Sequence, residues 1–405
     1  MQYIPLSKLY YSDTDHYDTI YLQRFNSESA YRFSFEIGKN PAFMLFTPEL
    51  FSLLDEIMAL DKQLSQLAER LPSVAIDQYT RKCLVDEILL TNDIEGVVST
   101  RNEINETLEE TLKPTSKQKR RFYGLMQKYF LLLEHDEIPL KSCQDVRNLY
   151  NEFILTEVKE ENPHNVPDGM YFRQGHVSVY SRGGKNIHDG LFPETKIITM
   201  MEQSLDFLNN TSYNALIRIA IFHYLFAYIH PFYDGNGRMT RFISSYMLSR
   251  KLHDLTGFRL SYTIKRNIDQ YYKSFKITND PKNKGDLTPF VISFFEILVR
   301  LIQELYQSVE KRSNQMDHYL ELVKNPKHGR GKNMNPCIDC HAMMMNYAGK
   351  LLEEYKADFI QDLESITDLS ASKLRAVIKV FRNDGILKIN KDVRKHLYDV
   401  DLSKL

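Results

Sequence analysis

Apolar residues from Pro48 onward recur at the spacing of one helix face: Leu50, Leu53, Leu54, Ile57, Leu60, Leu64 and Leu67 form a stripe, and Pro72 blocks its continuation. A helix is therefore predicted over 48–71. The same period returns at Cys83, Leu84, Ile88, Leu90 and Ile94, predicting a helix over 75–94 that stops at Gly96, a residue tolerant of the left-handed turn of a helix end. Further helices are expected at 101–112, 117–134, 143–158, 195–209, 213–229, 237–252, 267–278 and 289–311. The period changes at 177–193, VSVYSRGGKNIHDGLFP, where alternation runs into a Gly-rich loop, the pattern of an exposed β-hairpin. Residues 314–335 are polar and rich in Gly, Asn and Lys, which reads as a linker. The C-terminal stretch orders a short helix (359–366), a turn (367–370), a longer helix (371–383), Asp384-Gly385 and the alternating ILKINKDVRKHLYDV. That is the order of a winged helix-turn-helix. The fold class is mainly α, with one hairpin and a C-terminal winged helix.

A chain of 405 residues exceeds the size at which single cores usually stop growing, so two or three domains are expected. The formal charge of −1 excludes a global field drawing the chain to nucleic acid or membrane, and leaves only local patches. One such patch is Lys373, Arg375, Lys379 and Arg382 on the expected recognition helix, which either meets DNA phosphates or forms the solvated face of a packing module. The N-terminus has no basic start leading into an apolar run, and no stretch has the length of a bilayer span, so no membrane partner and a cytoplasmic location are expected. Four cysteines are too sparse for a disulfide framework. Cys337-Ile338-Asp339-Cys340-His341 has the spacing of haem attachment, which needs export. A zinc site with His328 or His341 lacks a second cysteine pair, so unligated thiols are the default.

The candidate chemistry lies in His230-Pro231-Phe232-Tyr233-Asp234-Gly235-Asn236-Gly237-Arg238-Met239-Thr240-Arg241, between two predicted helices. Gly235 and Gly237 let the backbone approach a ligand, and a helix N-terminus there points free N–H groups and a positive dipole end at an anion. Arg238 and Arg241, three apart, fall on one face and offer guanidinium forks to phosphate oxygens. Asp234 is a hard carboxylate able to share a magnesium ion with phosphates and water. His230 has a reference pKa near neutrality and can take a proton from an incoming hydroxyl. These parts describe phosphoryl or nucleotidyl transfer.

This run resembles the Fic/Doc family signature H-P-F-x-[D/E]-G-N-G-R-x-x-R at every specified position. The resemblance implies a Fic helical fold over about 80–305 and transfer of AMP from ATP to a Ser, Thr or Tyr hydroxyl of a target protein. It assigns His230 as the base and Asp234 as the magnesium ligand. Gly235, Asn236, Gly237, Arg238, Met239, Thr240 and Arg241 become the ATP-binding run. Tyr271, Tyr272 and Asn279 look like the family's further nucleotide contacts, and Val177, Val179 and Tyr180 on the hairpin like its target-positioning flap. Upstream, Thr91-Asn92-Asp93-Ile94-Glu95-Gly96 is similar to the inhibitory pattern [S/T]-x-x-x-E-[G/N], which would set Glu95 opposite Arg241 as an internal brake.

The domain plan is then an N-terminal inhibitory region (1–112), a Fic domain (113–311), a linker or insert (312–346) and the winged helix (347–405). Residues 325–360 resemble a segment of PP-loop tRNA-thiolation-like proteins, without an assigned role. Transfer of another nucleotide or of phosphate, self-modification, AMP removal, and a nucleotide-sensing DNA-binding regulator all remain open, and a homo-oligomer is compatible with the pattern.

Overall fold

The computed structural model describes residues 3–71, 73–112, 121–180, 186–324 and, beyond these, 370, 372, 375–376, 379, 382–383, 385, 387–390 and 397–400. The chain divides into one unit of Met1–Lys62 with Cys83–Leu305 and another of Gln63–Lys82 with Tyr306–Leu405. A border expected at residue 112 falls inside the first unit.

The chain opens with α1 (Leu6–Ser12), α2 (Tyr17–Asn26) and the antiparallel strands β1 (Ala30–Ile37) and β2 (Asn40–Leu45), none of which the helical periodicity singled out. The strands turn at Gly38, whose φ of +63° favours glycine. Arg32, Ser34 and Glu36 on β1 are exposed while Phe35 and Ile37 are buried, the alternation of a half-buried strand. Phe43 and Leu45 join Leu6, Leu9 and Tyr17 in a small apolar cluster. Phe43 N–H donates to the Gly285 carbonyl (3.0 Å), and Leu287 N–H to the Phe43 carbonyl (2.8 Å), pinning the hairpin to the turn before the closing helix.

The following helices are α3 (Pro48–Ala68), α4 (Ser73–Ile94), α5 (Arg101–Leu112), α6 (Tyr123–Leu133), α7 (Cys143–Phe153) and α8 (Leu155–Glu161). The single helix expected over 143–158 is two, broken at Ile154 with φ −141°. Strands β3 (Ser178–Tyr180) and β4 (Asn186–Asp189) form the expected hairpin. After it come α9 (Glu194–Asn209), α10 (Ala215–Ile229), α11 (Asn236–Ser249), α12 (Leu260–Arg266), α13 (Ile268–Thr278) and α14 (Thr288–Lys324). Helix α10 is apolar on every side, and all its residues except Ala215 and Ala227 are buried, so it serves as the central rod on which α9 and α11 pack. Asn214 caps it by accepting from Leu216 N–H (2.8 Å). Helix α14 runs on to Lys324, so the first part of the expected 314–335 linker is helical.

In the second unit the Arg312 guanidinium lies 4.0 Å from the Tyr79 ring centroid. Strands β5 (Leu387–Asn390) and β6 (Leu397–Val400) pair antiparallel, with Leu387 opposite Val400. Residues 372, 375–376, 379 and 382–383 are helical, and Arg375, Lys379 and Arg382 are exposed. The expected helix 359–366, Lys373, the Cys337–His341 motif and the 325–360 segment lie outside the described residues. Among the described residues no helix is long and apolar enough to cross a membrane.

Candidate active site

Helix α10 ends at His230, whose φ of +53° and ψ of +61° are left-handed, a conformation uncommon outside glycine and asparagine. Its N–H still closes on the Phe226 carbonyl (3.0 Å), and the reversal sends 231–235 back toward the start of α11. Asn236 holds this loop from inside: its Oδ1 accepts from Phe232 N–H (2.9 Å) and its Nδ2 donates to the Phe232 carbonyl (2.8 Å). Phe232 stacks on Tyr150 at a centroid distance of 3.8 Å, and the Tyr150 hydroxyl donates to the Asp234 carbonyl (3.3 Å). The Asn236 side chain, expected at the phosphates, is thus committed to loop closure. Met239 and Thr240 are also buried, and Thr240 Oγ1 donates back to the Asn236 carbonyl (2.8 Å).

Gly235 caps α11 at φ +80°, leaving the first-turn N–H groups of a 14-residue helix directed at the loop. A Cβ on Gly237 would collide with the Glu95 carboxylate, so a carboxylate already fills the space before this helix start.

The two arginines of α11 have different company. Arg238 is fully buried; its Nη1 donates to Glu157 Oε2 on α8 (2.9 Å), while Nε and Nη2 have no hydrogen-bond partner and Nη2 stands 3.9 Å from Asp234 Oδ1. Unmatched buried donors are costly, and an anion in the loop would satisfy them. Burial pushes the Glu157 carboxyl up to about 7, against the pull of Arg238. Arg241, also buried, donates from Nε to Thr91 Oγ1 (2.9 Å) and from Nη2 to the Thr91 carbonyl (3.1 Å) and Glu95 Oε1 (2.8 Å). One turn earlier on α4, buried Glu87 accepts from Ser261 N–H near the start of α12 (2.8 Å). Glu87 and Thr91 on α4 and Glu95 in the turn just past its end are four apart, so one side of this segment carries all three contacts.

Asp234 keeps a partly open carboxylate, with a side-chain exposure of 37%, and its Oδ1 accepts from Gly235 N–H (2.5 Å). No group of three or more His, Cys, Asp or Glu able to hold a metal occurs among the described residues. One accessible carboxylate beside a phosphate cradle suits magnesium, which retains water and takes its other ligands from the nucleotide.

Burial pulls the His230 imidazole down to about 4; Glu95 opposes this, and Arg173 and His188 add to it. Beside Arg241, Tyr271 is buried with its hydroxyl on His223 Nε2 (2.8 Å), and His223 Nδ1 meets Ser244 Oγ (2.8 Å). Tyr272 is 43% exposed. Asn279 Oδ1 accepts from the Tyr224 hydroxyl (2.6 Å). Of the expected aromatic pair, therefore, Tyr271 backs the site from the core and Tyr272 reaches solvent.

Burial and the Arg241 charge hold His223 down to about 3. Its folded value lies below its unfolded one, so the unfolded chain binds more protons between those values, and stability falls as pH drops from about 6.5 toward 3. By pH 4.5 this linkage costs about 2–3 kcal/mol. The loss of melting temperature between pH 7 and 4.5 should shrink in His223→Gln; an unchanged loss in thermal melts would refute the assignment.

In the hairpin, Val179 stands opposite His188 and Tyr180 opposite Asn186, and the Val177 carbonyl accepts from Gly190 N–H (3.0 Å). Among the described residues the sheet has two strands, each with one edge unpaired by a further strand, the geometry an extended peptide can join. His188 Nε2 meets the Tyr228 carbonyl (2.6 Å), tying β4 to α10. The structure adds Glu157, Glu87 and Arg173, which no motif marked. Each is a charged residue whose own side chain proves buried.

Residues 142–248 match the model of the Fic/DOC family. A protein adenylyltransferase Fic of Drosophila ananassae is 26% identical over 255 residues, covering 60% of this chain and 47% of that protein. Its namesake of Drosophila mojavensis is 32% identical over 127 residues, covering 31% and 22%. The chain therefore aligns with less than half the length of these curated relatives. Among solved structures, a Fic family protein from Desulfovibrio desulfuricans G20 superposes with a TM-score of 0.54 at 18% identity, covering 88% of this chain and 97% of that one, which establishes likeness of fold.

Proposed function

We propose that this chain, whose residues 142–248 match the Fic/DOC family model, is a protein adenylyltransferase held in check by its own Glu95. The observation that carries the reading is the half-empty, fully buried Arg238 guanidinium at the start of α11, next to an Arg241 already occupied by a carboxylate. One arginine waits for an anion and the other has been given a substitute.

In the reaction, the ATP phosphates lie on the Gly235–Gly237 turn and the first-turn N–H groups of α11, with Arg238 and Arg241 on the phosphate oxygens. Asp234 would hold magnesium, which neutralises phosphate charge when bound. A hydroxyl oxygen of the target attacks the α-phosphorus, His230 takes its proton, the bond from the α-phosphorus to the bridging oxygen breaks, and pyrophosphate leaves. The edge of the hairpin aligns the target segment main chain to main chain. Met239 and Thr240 support this run from the core side, Tyr271 braces it from beneath, and Tyr272 and Asn279 border the nucleotide. With Glu95 in place, Arg241 is withheld from ATP and a negative charge faces the incoming phosphates. Release requires the end of α4 to move. The domain plan, with a C-terminal winged helix able to meet DNA, stands as part of this proposal.

The test is the position of the transferred label. A Glu95→Gly chain incubated with target lysate and ATP labelled at the α- or the γ-phosphate should place only the α-label on protein. Protein labelled from the γ-position alone would replace this reading with phosphate transfer, and no label from either would favour a nucleotide sensor.

A further inference from the structure

Arg173 lies between the hairpin and the His230 loop, outside every motif singled out in the sequence. It is fully buried and has no carboxylate partner in its hydrogen-bond set; instead it donates to three main-chain carbonyls, from Nε to His230 (2.9 Å), from Nη1 to Gly175 (2.5 Å) and from Nη2 to Leu191 (2.8 Å). Those carbonyls belong to three segments: the end of α10 with the left-handed His230, the entry to the flap, and its exit. Its own N–H donates to the Pro231 carbonyl (3.1 Å), so main chain and side chain grip consecutive residues of the same turn. Gly190 makes room for this packing, since a Cβ there would lie 2.5 Å from Arg173 Nη2 and 2.9 Å from His230 Cβ. Leu191 N–H completes the seam by donating to the Ile229 carbonyl (3.1 Å).

A guanidinium buried on carbonyls alone gains no ion-pair energy to offset its desolvation, and burial pulls its own pKa down. What it supplies is geometry: a planar fork that fixes three strands of backbone at once, which lysine, with a single nitrogen, cannot reproduce. Its charge also acts on His230: besides burial, the groups acting on that imidazole are Glu95 just past the end of α4, Arg173 from the loop before β3 and His188 from β4, and of these Arg173 and His188 both disfavour the protonated ring.

We propose that Arg173 is a positioning residue that locks the flap and the His230 turn into one rigid piece, so that the hydroxyl laid along the flap meets the imidazole. The proposal rests on the adenylyltransferase reading, while the electrostatic influence of the guanidinium on His230, secondary to burial, is read without it.

The experiment compares Arg173→Gln and Arg173→Lys with their parents in two arms. In the Glu95→Gly background, both variants should lose roughly 10- to 100-fold in kcat for target labelling while ATP affinity, measured by calorimetry, stays within about threefold, the pattern of lost orientation rather than lost binding. In the otherwise unaltered chain, NMR titration with labelled histidine should find the His230 pKa displaced upward in Arg173→Gln and unmoved in Arg173→Lys, which keeps the charge. A general unfolding defect would not separate the two variants this way. Retention of kcat within threefold in both variants overturns the positioning role, and an unmoved His230 pKa in folded Arg173→Gln overturns the electrostatic one. If the Glu95→Gly parent labels nothing, the adenylyltransferase reading fails while the titration still decides what Arg173 does to His230.

Discussion

Glu95→Gly should transfer AMP to protein roughly 30- to 100-fold faster than the unaltered chain, the rate equivalent of losing one charge-assisted hydrogen bond of about 2–3 kcal/mol from the resting state. The bond in question joins Glu95 Oε1 to Arg241 Nη2 at 2.8 Å, with the arginine buried and the carboxylate about one-third exposed. Two further contributions point the same way. The carboxylate occupies the space in front of Gly237, where phosphate is expected, and its charge repels the polyphosphate. The gain should therefore include tighter ATP binding as well as faster transfer, and calorimetry on the two chains resolves these components. Equal rates and equal affinities would mean that the Glu95–Arg241 pair is a structural contact and the brake lies elsewhere. Thr91→Ala should release the brake only in part, because it removes one of two Thr91 contacts to Arg241 and leaves Glu95 in place.

Adding His230→Ala to the freed chain should cut labelling by about 10²- to 10⁴-fold with ATP affinity nearly unchanged, the signature of a lost general base. The pH dependence adds a second check. Burial holds the imidazole down to about 4, and with Glu95 removed the strongest influence favouring the protonated form is gone. The base is then neutral throughout the physiological range, so kcat/KM, which reports the free enzyme, should show no acid limb near the ordinary histidine value of about 6.5. A limb centred there would show that His230 is solvated in the working enzyme. Labelling that persists in the double variant would remove His230 from the chemistry.

The grouping of this site's residues could be read in advance because they are local in sequence. His230 through Arg241 lie within one loop and the start of one helix, so spacing alone brings glycines, carboxylate and arginines together, and their shared task is what the proposed function adds. The meeting of Glu95 with Arg241 across 146 residues could be anticipated only through resemblance, since nothing in a polar helix end names its distant partner. Glu157 shows the limit. It sits in LTEVKEEN among other charges and reads as one more solvated position, yet the break at Ile154 turns α8 so that its carboxylate is buried on Arg238. Arg173 is a single charge in a loop, and its three acceptors are main-chain groups, which leave no trace in sequence. Tyr271, expected at the nucleotide, has its hydroxyl on His223, a histidine hidden in an apolar helix, and this partner carries no sequence signal. The N-terminal strands are a different case: Tyr31, Phe33, Phe35 and Ile37 alternate plainly, followed by Gly38, and the signal for a strand was there to be read.

The bare backbone at Gly237 also restricts how such a brake can be lost by mutation. Any side chain there would expel the Glu95 carboxylate, which looks like an easy route to a permanently active enzyme. The same side chain would block the helix start proposed to hold phosphate, so on this reading the liberated enzyme would have nowhere to seat ATP. Seat and substrate site share one missing methyl group. Under the proposed function, a selection for hyperactive variants should therefore recover changes at Glu95, Thr91 and the Glu87 anchor, on and just past α4, while α11 stays untouched: the heritable freedom of the proposed regulation resides on the segment that would inhibit, and the helix that would bind is closed to it.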